Sequence, residues 1–241
     1  MENRGNEQKA AWFYRIAGVM AFMFVAVIIL DIVTSIMAGK APMPGTLSAQ
    51  DVFGLFQAEP FRAFQYLGIF NVMEQMLMLV IVFAFYLSHK QAYKNSSTLA
   101  LAIFITGLAV YLANNVSMPL YYLSIKYAAA DAQLKPVLTA AGESLLARGE
   151  DFTPGSLPGF FINEVSIFLM FFIMFRAGIF SKISAVFGIA GVLLLTVFTF
   201  GATLNPPMYN TLMTMSMLGG LLMLAWYIMI GLRFFKISRM N

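Results

Sequence analysis

Six long apolar runs separated by short polar breaks set the pattern of this chain. They cover residues 11–38, 61–88, 97–123, 159–177, 183–204 and 209–235. A helix needs roughly 20 mostly apolar residues to cross the hydrocarbon of a bilayer. The pattern therefore predicts an all-α, polytopic membrane protein: a six-transmembrane-helix bundle forming one domain over residues 1–241. The first run is too long and too apolar for a cleaved leader and lacks a small-residue cleavage site, so it reads as a retained span.

Two breaks, the first and the third, are long enough to hold elements of their own. In TLSAQDVFGLFQ, Ser48 stands as an N-cap with Asp51 three residues on, followed by Val52, Phe53, Leu55 and Phe56. In KPVLTAAGESLLAR, Pro136 stands at an expected first helical position, and Val137, Leu138, Ala141 and Leu145 recur at helical spacing. Both predict short amphipathic helices, lying on the membrane face or over the mouth of the bundle.

Composition sharpens the class. Hydrophobic residues make up 60% of the chain and charged residues 11%, where a soluble domain carries about 25%. The absence of cysteine excludes disulfides, thiolate metal sites and cysteine nucleophiles. A single histidine, His89, excludes a bis-histidine haem site. No lysine stands mid-span to form a Schiff base. Met213 and Met217 lie one turn apart, but 18 methionines are spread over the chain, and packing is their reading. No serine–histidine pair, phosphate loop or metalloprotease motif is present. No catalytic residue, metal or cofactor is therefore expected.

The net charge of +4 is read through its distribution. With six spans, both termini and the second and fourth loops lie on one side. That side holds Arg4, Lys9, Arg15, Lys90, Lys94, Arg176, Lys182, Arg233, Lys236 and Arg239. The other side holds Lys40, Arg62, Lys126, Lys135 and Arg148. Basic residues favour the cytoplasm, so both termini are expected there. The charge calls for no nucleic acid. The acids Asp51, Glu59, Asp131, Glu143, Glu150 and Asp151 fall in the outer loops.

Three acids remain within the runs: Asp31, Glu74 and Glu164. Each costs on the order of 3 kcal/mol at the bilayer centre unless it finds partners or water. Asp31 shares a helical face with Thr34 and Ser35, and Glu74 lies beside Asn71 and Gln75. Asn114 and Asn115 come late in the third run, Asn163 and Glu164 early in the fourth, and Thr199 late in the fifth. Chain direction alternates, so all of these fall in the outer halves, while the inner halves are almost wholly apolar. The expected outcome is a polar pocket that opens outward above an apolar plug. Its lining is Asp31, Asn71, Glu74, Gln75, Asn114, Asn115, Glu164 and Thr199, with Glu74 the deepest acid.

The layout resembles the small six-span bacterial membrane proteins grouped under domain of unknown function 4386. The likeness rests on RIAGV (15–19), PFR (60–62), FRAGIFSKISAVFGIAGVLLL (175–195) and IGLRFFK (230–236), and covers nearly the whole chain. It implies a compact helical bundle with two outer loop helices in a bacterial inner (plasma) membrane, and it implies no activity or site residue. The expected function is therefore a non-enzymatic membrane protein whose outer pocket binds a lipid, a small amphiphile or a partner subunit. Membrane lipids are the expected partners, with a second membrane subunit or self-association as further candidates. A small proton-coupled transporter using Glu74 and Glu164, or an outer-leaflet lipid-modifying enzyme, stands as the alternative.

Overall fold

The structure is a computed structural model that describes residues 2–37 and 45–240, with side chains described from Ala11 onward. Ala38 and Lys40, and the side chains of Arg4 and Lys9, lie outside the described residues. In chain order the α-helices are α1 (Glu2–Met37), α2 (Ala49–Ala58), α3 (Pro60–Tyr66), α4 (Ile69–His89), α5 (Lys94–Asn114), α6 (Ser117–Ala129), α7 (Leu134–Gly149), α8 (Leu157–Ala177), α9 (Lys182–Leu204) and α10 (Tyr209–Met240). A 3-10 turn, Pro206–Met208, joins the last two. The described residues contain no strand. Six segments are long and apolar enough to cross a membrane, and together they make this a multi-pass membrane protein.

The six long helices close into a ring. α4 packs on α1, α1 on α10, α10 on α9, α9 on α8, α8 on α5, and α5 returns to α4. The ring is filled by large side chains. Phe24 stacks on Tyr227 at 4.0 Å between ring centres, and Phe171 meets the edge of Trp226 at 4.7 Å. Small residues let α9 and α10 approach: a Cβ added at Gly219 would lie 3.1 Å from the Gly191 carbonyl oxygen. The outer faces carry exposed apolar side chains such as Ile36, Ile183 and Leu221, the surface that faces lipid.

The two expected loop helices are present as α2 and α7. Ser48 and Asp51 form a reciprocal capping box at the start of α2. The apolar face of α7 is rotated from its predicted phase. Leu138, Gly142, Leu146 and Gly149 are the buried positions, whereas Val137 is 63% exposed, and the helix begins at Leu134, two residues before Pro136. The physical reason is what α7 lies against. It packs on α2, where a Cβ at Gly142 would touch Ala49 and Phe53 at 2.7 Å. A glycine is the point of closest approach, and hydrophobicity alone does not mark it.

Two expected spans are corrected. The second does not run unbroken over 61–88. It is split at Gly68, whose φ of +77° suits glycine and interrupts the helix between α3 and α4. The third, 97–123, breaks between Asn114 and Ser117, and α6 continues it. The two breaks face each other, because Asn115 Nδ2 donates to the Leu67 carbonyl at 3.4 Å. α2, α3, α6 and α7 then pack a second apolar cluster around Phe53, Phe56, Leu67, Val116, Leu120 and Leu146, which caps this end of the bundle.

Candidate functional site

The capped end gathers the carboxylates. The sequence places Glu150 and Asp151 in a loop on the outer surface, and here the structure corrects it. The loop after α7 turns inward, and Asp151 is 4% exposed and Glu150 3%. Gly149 and Gly155 make the turn possible. A Cβ at Gly149 would collide with the Asn114 carbonyl, and one at Gly155 with that of Arg148. Arg148 then holds the turn by donating to the Ala113 carbonyl at 2.7 Å and to Asn114 Oδ1 at 3.3 Å. A carbonyl that the end of α5 leaves open, that of Ala113, is thus satisfied.

Asp151 sits against the amino end of α4. Asn71 Nδ2 donates to its Oδ2 at 2.6 Å, and the Tyr111 hydroxyl approaches its Oδ1 at 3.4 Å. A Cβ on Gly68 would run into Oδ2, so the glycine that breaks the second span also makes room for this carboxylate. Burial pushes the Asp151 carboxyl up to about 7, against the opposing pull of the Asn71 and Tyr111 hydrogen bonds. Glu150 accepts the Gly45 backbone N–H at 2.6 Å and the Tyr66 hydroxyl. Burial raises its carboxyl also. Phe152 follows with φ +58°, which a bulky residue rarely adopts. It is held between Phe160, Phe198 and Tyr209.

The eight predicted residues fall into five groupings. Asp31, on α1, is met by a residue absent from the predicted lining: Gln65 Nε2 lies 2.9 Å from Asp31 Oδ1 and 2.8 Å from Ser35 Oγ. Asn71 pairs with Asp151, and Glu74, one turn further along α4, makes no hydrogen bond to any described residue. It lies within electrostatic reach of Asp31 and Asp151. Gln75 Oε1 accepts Asn163 Nδ2 at 2.9 Å. Glu164 and Thr199 pair across α8 and α9, with Thr199 Oγ1 donating at 3.1 Å, which leaves Glu164 Oε2 buried without a partner. Asn114 and Asn115 serve the backbone at the break in the third span, Asn114 Nδ2 donating to the Gly155 carbonyl at 3.2 Å. Gln65, Tyr66, Glu150 and Asp151 were missed. The signal for the last two was the pair of glycines flanking GEDFTPG.

Beside this network lies an open cleft of about 430 Å³. Phe152, Pro206, Pro207, Ala202 and Tyr209 give it apolar walls, while Thr46, Thr153 and Thr203 add polar points. The Thr203 hydroxyl is buried and has no hydrogen-bond partner. None of the eight predicted residues lines this cleft. Further along the bundle axis the described side chains pack into an apolar core. A void of only about 10 Å³ lies among Met78, Ile81, Val82, Phe85, Ile167, Met170, Phe171 and Trp226. It is apolar on all sides, and a water needs polar partners as well as room. Among the described residues no three histidine, cysteine, aspartate or glutamate side chains are grouped to hold a metal ion. No protein-family model, curated protein or solved structure matches the chain.

Proposed function

We propose that this membrane protein binds a lipid or small amphiphile in the cleft at its carboxylate end, and that it does so without catalysis. The observation that carries the reading is the cleft's mixed lining: apolar walls broad enough for a chain, and the buried, unpartnered Thr203 hydroxyl to meet a polar group. The strained Phe152 supports it. Backbone strain persists where the surroundings impose it, and such places cluster at binding sites. The same turn that buries Asp151 sets Phe152 in the cleft wall.

A proton-coupled carrier is the second reading, favoured by Glu74, an unpaired carboxyl within reach of two others. The apolar layer around Trp226 weighs against a polar path through the bundle. Native mass spectrometry of gently purified protein separates the two. The wild type and Glu74→Gln are expected to carry the same bound amphiphile. Thr203→Val should lower its occupancy several-fold, and Pro207→Trp, which fills the mouth, should abolish it. An amphiphile unaffected by either cleft variant, or one lost in Glu74→Gln, overturns the reading.

The basic end is proposed to face the cytoplasm, supported by the distribution of lysine and arginine. The chain has no cysteine, so single-cysteine labelling is unambiguous. Ser144→Cys, on the exposed face of α7, should react with an impermeant reagent in intact cells, and Asn95→Cys should not. The reverse pattern inverts the topology. The resemblance to domain of unknown function 4386 is kept as a proposal about layout and brings no activity with it.

A further inference from the structure

The opposite end of the bundle holds a second cavity, independent of the cleft. It measures about 290 Å³ and is lined by Tyr14 of α1, Ser88 of α4, Gln91 just beyond it, and Arg233 and Ile237 of α10, with Ile179 between α8 and α9. We propose that this cavity binds the phosphodiester of an anionic membrane lipid.

Three observations point to that chemistry. The first is the donor set. Arg233 Nε donates to the Ile179 carbonyl at 2.9 Å, which fixes the guanidinium plane and leaves its terminal N–H groups to the cavity. Among the described residues the one ion pair is Arg62 with Glu59, so no carboxylate neutralises Arg233. Tyr14 and Gln91, in the same lining, carry neutral hydrogen-bond donors. A fixed guanidinium fork matches a phosphate in shape as well as charge.

The second observation is the field. Arg15, Lys90, Lys94, Arg176, Lys182, Lys236 and Arg239 also lie at this end; from Ala11 onward every acid lies toward the other end, while Glu2 and Glu7 stand in the first turns of α1 on this side. The balance of charge at this end favours an anion. The third is position. The cavity opens where the spanning helices leave their apolar stretches, and Leu87, Ile237 and Met240 share its lining with the polar groups. A free phosphate has no use for such walls, whereas a lipid's glycerol and first methylenes do. Basic pockets between spanning helices at a membrane surface are suited to lipid headgroups.

The test uses the full chain in mixed micelles, with phosphatidylglycerol, phosphatidylcholine or inorganic phosphate added, read by native mass spectrometry and by thermal midpoint. The wild type should retain phosphatidylglycerol over phosphatidylcholine by roughly tenfold or more. Arg233→Gln should lose that preference. Tyr14→Phe and Gln91→Leu, which keep the Arg233 contact to Ile179, should each weaken it by several-fold. Lys236→Gln, an equal change of charge on the exposed face of α10, should leave it in place. Equal loss in Lys236→Gln and Arg233→Gln would mean a diffuse charge effect and overturn the site. Full retention in Arg233→Gln, Tyr14→Phe and Gln91→Leu also overturns it. Stabilisation by inorganic phosphate matching that by phosphatidylglycerol overturns the lipid as its source.

Discussion

Raising the pH from about 5 to about 9 is expected to destabilise this protein by about 3 kcal/mol through Asp151 alone. The carboxyl is buried and holds its proton up to about 7, against an ordinary 3.8. It therefore binds the proton more tightly folded than unfolded. Its contribution to stability is complete below about pH 4, falls as the unfolded chain ionises first, and levels off above about pH 7, where the folded carboxyl has also ionised. Glu150, raised by the same cause, acts in the same direction. Unfolding in mixed micelles across this pH range measures the slope. Asp151→Asn keeps the shape and cannot ionise, so its curve should be flatter by that amount. A wild-type curve that rises with pH, or an unchanged slope in Asp151→Asn, would show that the carboxylate is stably charged against Asn71 and Tyr111.

The second large effect belongs to Gly68. Gly68→Ala incurs two costs: a left-handed backbone at φ +77° and a collision of the new Cβ with Asp151 Oδ2. Gly178 supplies the control, since it has φ +69° but open space around its Cβ position. Gly178→Ala should cost the backbone strain alone, about 1–2 kcal/mol. Gly68→Ala should cost at least twice that in the same unfolding assay. Combining Gly68→Ala with Asp151→Ala removes the obstructing carboxylate, so the double variant should be less destabilised than the two single changes add up to. Simple additivity would mean that the Asp151 turn does not press on Gly68.

The groupings around these two residues divide what could be read along the chain from what could not. The start of α2 followed from local chemistry: Ser48 and Asp51 form their box because a cap needs only four consecutive residues. That polar groups within the spans meet across helices is expected because lipid cannot satisfy them, but that Glu164 meets Thr199 in particular is set by how α8 and α9 pack. The phase of α7 was not legible, because Gly142 marks the contact by lacking a side chain. Gln65 was passed over for a similar reason: it stands before the break at Gly68, and a run read as one straight span gives no cause to aim it at Asp31.

The sequence by itself determined the class of the protein. Sixty per cent apolar residues leave too little polar surface to cover the chain in water, and the lengths of the apolar runs count the spans, since both are sums over local composition. It also determined at which end polar groups and basic groups gather, because chain direction alternates with each span. Only the tertiary structure decided which carboxylate is buried. Glu150 and Asp151 occupy a stretch with every mark of a solvated loop. They turn inward because two breaks, at Gly68 and at Asn115, come to face each other 47 residues apart in sequence and open a gap that neither break creates alone. A hydrogen bond from Asn71 to Asp151 spans 80 residues, and no periodicity in either segment encodes the meeting.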